Sequence, residues 1–189
     1  MRGREKEVNF RALSEKEKGY LFGLFEGDGY KIYDKKSRHY HIEFYLNSIK
    51  DLEIINFLSF LLLKINLLPN IYQDKRYNCK RIRVYSKQLF KIMEKNISLN
   101  KETKEFCIGY CSGMIDSEGY VNSAKSTISV INTNLRVLKE MKKFLEKGKI
   151  KSSISKRKKG IKDKLDNYRM YISVKFKSVK HLSIKAGKL

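Results

Sequence analysis

The sequence predicts an α+β fold built from two halves that share one order of elements, α-β-β-α-β-β-α. The segment GYLFGLFEGDGY at 19–30 returns as GYCSGMIDSEGY at 109–120. The apolar pattern after each copy indicates the same order of strands and helices. A chain of 189 residues is long enough to bury a core in each half. We therefore expect an N-terminal half at 1–98 and a C-terminal half at 99–189, related by a pseudo-twofold axis.

The first half is predicted to begin with a helix, because Ser14 to Glu17 has the pattern of a capping box. This helix is expected to run to about Gly27. Alternation over 39–47 predicts a strand with one wet face, formed by His39, His41, Glu43, Tyr45 and Asn47. The other expected elements are a helix at 49–65, strands at 71–76 and 80–85, a helix at 87–95 and a linker at 96–100.

The second half is predicted to repeat this order. The expected elements are a helix at 102–117, strands near 119–124 and 127–133, a helix at about 135–147, strands near 150–157 and 167–176, and a short closing helix. In the last strand, Met170 and Ile172 point one way and Arg169 and Tyr171 the other. Each half is thus expected to have an apolar sheet face under its helices and a basic, aromatic face opposite.

Each repeated segment has a glycine in the middle of its predicted helix. Such a glycine lowers helix stability by about 1 kcal/mol relative to alanine. Gly23 recurs as Gly113, which predicts that the two helices pack against each other with their backbones in close approach.

Each repeated segment also ends in acids followed by a glycine. Gly29 and Gly119 are expected to terminate their helices. Asp28 and Glu118 precede them, although the negative end of a helix disfavours acids. A local disadvantage that occurs twice is typical of a functional site.

The charge balance favours a polyanionic partner. Lys and Arg total 42 and Asp and Glu total 20, which gives a net charge of +22. Nucleic acid is the expected partner, with a ribosome-associated structural protein or a basic membrane-surface protein as alternatives. The lack of a long apolar run excludes a membrane span, and the polar N-terminus predicts no secretory signal. Three cysteines cannot all pair, which fits a reducing interior.

The segments LFGLFEGDG at 21–29 and CSGMIDSEG at 111–119 resemble the two signature segments of LAGLIDADG homing endonucleases. The second departs from the signature at its first two positions. Two copies in one short chain resemble the monomeric members found in archaeal and organellar introns. The resemblance implies saddle-shaped antiparallel DNA-binding sheets. It also implies a location inside an archaeon or bacterium, or in an organelle with an intron-bearing genome.

The resemblance further implies site-specific hydrolysis of both DNA strands across the minor groove. Asp28 and Glu118 would be the catalytic and metal-binding acids, with the carbonyls of Gly27 and Ser117 as further ligands. Glu26 and Asp116 would have structural roles. The chemistry of the two acids also supports a metal site. Two adjacent carboxylates repel each other, and a bound Mg²⁺ relieves that repulsion because it prefers oxygen ligands. Mn²⁺ is expected to substitute for Mg²⁺.

The family also places a water-positioning side chain near the end of the second strand of each half. Asn47 and Asn132 occupy those places, although both could simply be strand-end or helix-cap residues. A lysine in the catalytic pocket is typical of the family. No position fits it cleanly, and Lys31, Lys101 and Lys125 are weak candidates.

Sequence recognition is expected to come from basic and aromatic side chains, since arginine can bind guanine with two hydrogen bonds and lysine mainly contacts phosphate or guanine. The candidates for DNA binding are Lys31, Arg38, His39, His41, Tyr45, Arg81, Arg83, Lys125, Arg169 and Lys175. The basic run from Lys156 to Lys164 is expected to be either a hairpin tip that grips the DNA backbone or a solubilising loop. Cys107 and Cys111 are expected in the core rather than at a metal.

Two other functions use the same scaffold. One is an RNA-binding maturase that folds its host intron, and the other is a DNA-binding regulator with decayed catalytic sites. Both are expected to tolerate alanine at Asp28 and Glu118, whereas an endonuclease needs both acids.

Overall fold

A computed structural model describes residues 7–74, 77–94, 102–122, 124–125, 127–157, 166–173 and 183–187. After a 3₁₀ turn at Phe10–Ala12, the first half contains α1 (Glu15–Asp28), β1 (Gly29–Asp34), β2 (His39–Asn47), α2 (Leu52–Lys64), β3 (Asn70–Asp74), β4 (Cys79–Tyr85) and α3 (Lys87–Met93). The second half contains α4 (Lys104–Glu118), β5 (Gly119–Asn122), β6 (Thr127–Asn132), α5 (Leu135–Lys147), β7 (Ser152–Lys156), β8 (Tyr168–Ser173) and α6 (Ile184–Gly187).

The strands form two antiparallel four-stranded sheets of identical topology. The strand order is β1-β2-β4-β3 in the first sheet and β5-β6-β8-β7 in the second. The registers also correspond, because Tyr30 lies opposite Glu43 in the first sheet and Tyr120 lies opposite Ser129 in the second. The predicted α+β fold with two similar halves is confirmed.

One face of each sheet packs on helices and builds a core. In the first half, Phe44 and Ile82 lie on this face and pack with Leu58 and other side chains of α2. In the second half, Val130 and Met170 take the corresponding places. The opposite face of each sheet is called the outer face below.

Helices α1 and α4 pack against each other at the centre of the molecule with their backbones in direct contact. A Cβ atom on Gly23 would overlap the carbonyl oxygen of Tyr110, and one on Gly113 would overlap that of Tyr20. Gly19 and Gly109 face the carbonyl oxygens of Phe106 and Lys16 in the same way. The close approach predicted from the recurring glycines is confirmed.

Side chains near the helix starts decide where α1 and α2 begin. The predicted capping box is confirmed, because Ser14 Oγ accepts from the Glu17 amide and the Glu17 carboxylate accepts from the Ser14 amide. The predicted start of the second helix at residue 49 is wrong by three residues. Asn47 Oδ1 accepts from the amides of Ile49 and Lys50, which holds 48–51 in a turn before Leu52.

The prediction that one face of the strand at 39–47 is exposed to solvent is partly wrong. Glu43 is only 1% exposed and His41 only 6% exposed. Both lie on the outer face, but Arg83 of β4 pairs with Glu43 and the Tyr85 ring lies 5.5 Å from the His41 ring. His41 is therefore covered by its neighbours, and its role as a DNA contact stays a prediction.

Some predicted features fall outside the described residues. These are the linker at 96–100, the tip of the basic hairpin at 158–165, the end of the last strand at 174–176, and the candidates Lys101 and Lys175. Within the part of the chain that is described, no helix is long and apolar enough to cross a bilayer.

We predict that Gly113→Ala lowers the free energy of unfolding by at least about 3 kcal/mol, because the added methyl group would meet backbone atoms that cannot rotate away. Chemical denaturation followed by circular dichroism measures this change. Gly148→Ala is the control, since its Cβ would lie 3.3 Å from the nearest atom, the Leu145 carbonyl oxygen. Its stability should stay within about 0.5 kcal/mol of the wild type. Equal stability of both variants would contradict the central packing described here.

Candidate active site

The last turns of α1 and α4 bring the two predicted acids together. Asp28 is the last residue of α1 and Glu118 is the last residue of α4. A Cβ atom on Gly27 would overlap the Ser117 hydroxyl and would lie 3.1 Å from Glu118 Cγ. The acids that lie far apart in the sequence therefore occupy one site, at the junction of the two halves.

A glycine directly after each acid turns the chain from helix into strand. Gly29 and Gly119 end their helices as expected, but for a different reason from the left-handed cap that a terminal glycine suggests. Their φ angles are −97° and −86°, in the extended region. A Cβ atom there would overlap the carbonyl oxygen of Phe25 or Ile115, so the tight turn itself requires glycine.

Burial raises the pKa of both acids. The pKa of Asp28 is raised to about 7, mainly by burial and next by the nearby Glu118, while the ammonium of Lys185 acts in the opposite direction. Burial also raises the pKa of Glu118, and Lys185 again acts in the opposite direction. The arrangement therefore holds negative charge that favours a cation.

Lys185 is a site residue that the sequence analysis missed. Its Nζ atom donates to the Ser117 carbonyl at 3.2 Å and lies 3.6 Å from Asp51 Oδ1. Asp51 itself is buried, and its Oδ2 atom accepts a hydrogen bond from the backbone amide of Asn47. Nothing in the sequence marked either residue, because α6 is a single turn and Asp51 lies in a loop that was expected to be helical.

Asp116 fixes the segment that carries Lys185. Its buried carboxylate accepts from the Tyr20 hydroxyl at 2.9 Å and from the amides of Ile184 and Lys185 at 3.0 and 2.8 Å. This agrees with the structural role expected for the first acid of the motif. Glu26 has different surroundings, since burial and Glu140 raise its pKa while Arg136 and Lys31 oppose that rise.

The two asparagines predicted near the site form turns. Asn47 Oδ1 accepts from two amides of the turn before α2, and Asn132 Oδ1 accepts from the Asn134 amide at 2.7 Å. This is the alternative that the sequence left open for both residues. Their water-positioning role stays a prediction.

Of the three lysines proposed for the pocket, the structure describes Lys31 and Lys125. Lys31 pairs with Ile42, so it lies on the helix side of β1, 3.9 Å from Glu94 and over the Phe90 ring. Its role as a DNA contact stays a prediction. Lys125 is in the loop after β5, where its amide donates to Asn122 Oδ1.

Most remaining DNA-binding candidates lie on an outer face or at its edge. In the first sheet Tyr45 pairs with Arg81, and Arg83 lies two positions further along β4. His39 is exposed at the start of β2, and Arg38 is exposed in the turn before it. In the second sheet Arg169 donates to the Tyr171 hydroxyl at 3.2 Å.

The candidate metal ligands at the acidic junction are oxygen atoms. They are the carboxylates of Asp28 and Glu118 and, beside them, the carbonyls of Gly27 and Ser117. Among the described residues no group of three or more His, Cys, Asp or Glu side chains could hold a metal by itself. The donor set fits Mg²⁺, which uses one or two carboxylates and completes its shell with water and phosphate.

The two cysteines of α4 are core residues, as predicted. Both are buried, and Cys111 Sγ contacts the Met141 carbonyl oxygen at 3.7 Å. Burial raises the pKa of the Cys111 thiol.

We predict that Asp28→Asn stabilises the metal-free protein more at high pH than at low pH. Because the pKa of Asp28 is raised in the folded protein, the folded state holds this proton more tightly than the unfolded chain does. Wild-type stability should therefore fall as the pH rises from about 4 to about 7. The gain from the substitution should be on the order of 2 kcal/mol at about pH 8 and close to zero at about pH 4. Thermal unfolding in EDTA across this range measures the gain, and a gain that does not change with pH would contradict the coupling.

Solved structures share this fold at low sequence identity. The structure of I-DmoI in complex with DNA and Ca has a TM-score of 0.68 and 20% identity, and the alignment covers 92% of this chain and 96% of that one. Full-length WhiA from Thermatoga maritima has a TM-score of 0.62 and 17% identity, over 92% of this chain and 58% of that one. No significant match to a curated protein sequence was found.

A family model supplies the assignment. The model of the LAGLIDADG-like domain matches residues 15–98 and again residues 105–181. Each match contains one helix of the central pair and the acid at its end. The chain therefore belongs to the LAGLIDADG-like domain family and carries two copies of the domain.

Proposed function

We propose that the protein is a site-specific endonuclease that hydrolyses both strands of duplex DNA with Mg²⁺, for which Mn²⁺ can substitute. The observation that supports this most strongly is the meeting of Asp28 and Glu118 at the ends of α1 and α4. I-DmoI, described as a homing endonuclease, has the same fold and has been solved with DNA and Ca and with DNA and Mn. The net charge of +22 suits a DNA partner.

The acids would hold the cation, and their neighbours would shape its surroundings. Asp28 and Glu118 provide the anionic ligands, with the carbonyls of Gly27 and Ser117 beside them. A bound divalent cation would supply Lewis-acid activation of water and neutralise charge on the scissile phosphate. Asn47 and Asn132 are the proposed water-positioning residues, through the part of each amide that the turn does not use.

Lys185 adds a permanent positive charge to this site. Its ammonium faces the same two acids and is held by Ser117 and Asp51. We propose that it stabilises the negative charge that develops on phosphate oxygens during the reaction. Lys185 would thus be the lysine of the catalytic pocket, for which the sequence offered only Lys31, Lys101 and Lys125 as weak candidates.

The outer faces of the two sheets are the proposed DNA-contacting surfaces. A single chain with two unequal sheets suits a long target site whose halves differ. The proposed contacts among the described residues are Arg38, His39, Tyr45, Arg81, Arg83, Lys125 and Arg169.

Exposed tyrosines favour RNA binding as a second candidate function. Tyr30, Tyr72 and Tyr120 are exposed on the outer faces. Aromatic rings at such places can stack on unpaired bases, as many RNA-binding sheets do.

We predict that the protein with Mg²⁺ makes double-strand breaks at one long sequence motif within a random duplex library, mapped by sequencing the new ends. Asp28→Ala and Glu118→Ala should each lower the cleavage rate by at least about 1,000-fold, while binding in Ca²⁺ is kept. Glu105→Ala, which removes an exposed acid from the same helix as Glu118, is the control. Undiminished cleavage by both acid variants would overturn the site. Tight binding without cleavage by the wild-type protein would support a binding-only function.

We predict that Lys185→Met lowers the cleavage rate by about 100-fold and that Lys185→Arg restores part of it, because the loss is one of charge at the reacting phosphate. Single-turnover cleavage measures the rate, and binding in Ca²⁺ should change by less than about threefold. Lys139→Met, an exposed lysine of α5, is the control. A wild-type rate in a folded Lys185→Met protein would show that Lys185 only anchors the C-terminal turn.

A further inference from the structure

The outer face of the first sheet has a buried carboxylate at its centre. Glu43 lies in the middle of β2, between Tyr30 of β1 and Arg83 of β4, and is 1% exposed. An acid is unexpected here, because the proposed function presents this surface to a polyanion. Its side chain therefore needs an explanation other than attraction to DNA.

Glu43 organises the side chains around it. Its Oε1 atom accepts from Arg83 Nε and pairs with Nη2 of the same guanidinium. Its Oε2 atom accepts from the Tyr45 hydroxyl at 2.5 Å. His41 Nε2 lies 3.5 Å from Oε1. We call Glu43, His41, Tyr45, Arg83 and Tyr85 the Glu43 cluster.

Arg83 is fixed on several sides by this arrangement. Besides the contacts to Glu43, its Nη1 atom donates to the Tyr85 hydroxyl at 3.1 Å, and its guanidinium lies 5.7 Å from the Tyr72 ring centre. These contacts use three of the five N–H groups that an arginine carries, which leaves two for a ligand. An arginine held in one rotamer loses little conformational entropy when it binds.

The charge state of Glu43 fits a permanent ion pair. Burial alone would raise the pKa of Glu43, but the hydrogen bonds from Tyr45 and Arg83 outweigh it and hold the pKa below the ordinary value. The carboxylate therefore stays ionised. The ion pair neutralises the charge of Arg83. Glu43 therefore fixes the orientation of the guanidinium and adds no positive charge to the surface.

The second sheet has no such cluster at the corresponding positions, all of which are described. By register, Glu43 corresponds to Ser129, Arg83 to Tyr171 and Tyr45 to Ile131. Arg81 corresponds to Arg169, which donates to Tyr171 and has no acid at the position of Glu43. The two halves thus share a fold but differ in how firmly their arginines are held.

We propose that Glu43 is a positioning residue for sequence recognition, which presents Arg83 in fixed orientation to a guanine in the half-site that the first sheet contacts. Two parallel N–H groups of arginine match the O6 and N7 acceptors of guanine in the major groove. A phosphate would be served equally well by a mobile arginine, so the rigid pairing favours a base contact. The proposal rests on the proposed DNA binding, and it makes the first half the more discriminating one.

Glu43→Gln tests this, because it keeps the shape and one acceptor but removes the charge that holds the guanidinium. Wild-type and variant proteins select binding sites from a random duplex library in Ca²⁺, and the selected sequences are compared position by position. We expect Glu43→Gln to bind an unrelated duplex at least as tightly as the wild type, while its preference for one guanine falls about tenfold. Asp34→Asn, which removes a charge from the same face at its exposed edge, should keep that preference.

Arg83→Lys provides a second variant in case Glu43→Gln does not fold. It retains the charge but not the planar fork, so it should lose the preference at the same base position. An unchanged selected motif in either folded variant would overturn the proposal and leave the endonuclease function standing. A wild-type protein that binds duplex DNA but selects no motif would overturn both.

Discussion

The close backbone contact between α1 and α4 determines where the two helices end relative to each other. Two helices approach closely enough for Gly23 and Gly113 to face carbonyl oxygens of the opposite helix only because neither has a side chain. This contact sets the distance between the helix ends. It thereby brings Asp28 and Glu118 into one half-buried site, where burial and mutual repulsion raise the pKa of Asp28 to about 7. A looser packing would leave each acid alone and hydrated, with little need for a shared cation.

The C-terminal turn is the second tie between the halves. Ile184 packs against the core of the first half, while the amides of Ile184 and Lys185 bond to Asp116 of the second half. Lys185 then reaches both Asp51 and Ser117. The first motif has Glu26 at the position of Asp116, and the charged side chains of Arg136, Lys31 and Glu140 influence its pKa. The two motifs are similar in sequence but lie in different surroundings.

Sequence patterns predicted what depends on local periodicity and on the repeat. The recurring glycines indicated the central packing, and the acids before Gly29 and Gly119 indicated the site. Periodicity could not reveal Lys185, because α6 is too short to show a pattern. Lys185 also lies 67 residues beyond Glu118 in the sequence. Alternation placed Glu43 and His41 on the outer face correctly, yet it says nothing about the side chains of β4 that cover them. The position of Asp51 could not be predicted for a related reason. It lies in the turn before α2 that is formed by the hydrogen bonds of Asn47, and the sequence pattern had predicted helix there.

The central claim is that Asp28 and Glu118 share a divalent cation beside bound DNA. The most direct measurement is an anomalous difference map from crystals of the DNA complex containing Mn²⁺. We expect a peak between the two helix ends, about 2–2.3 Å from a carboxylate oxygen of each acid and in contact with a phosphate oxygen. Crystals with DNA bound and Mn²⁺ present, but with no peak near either acid, would contradict it.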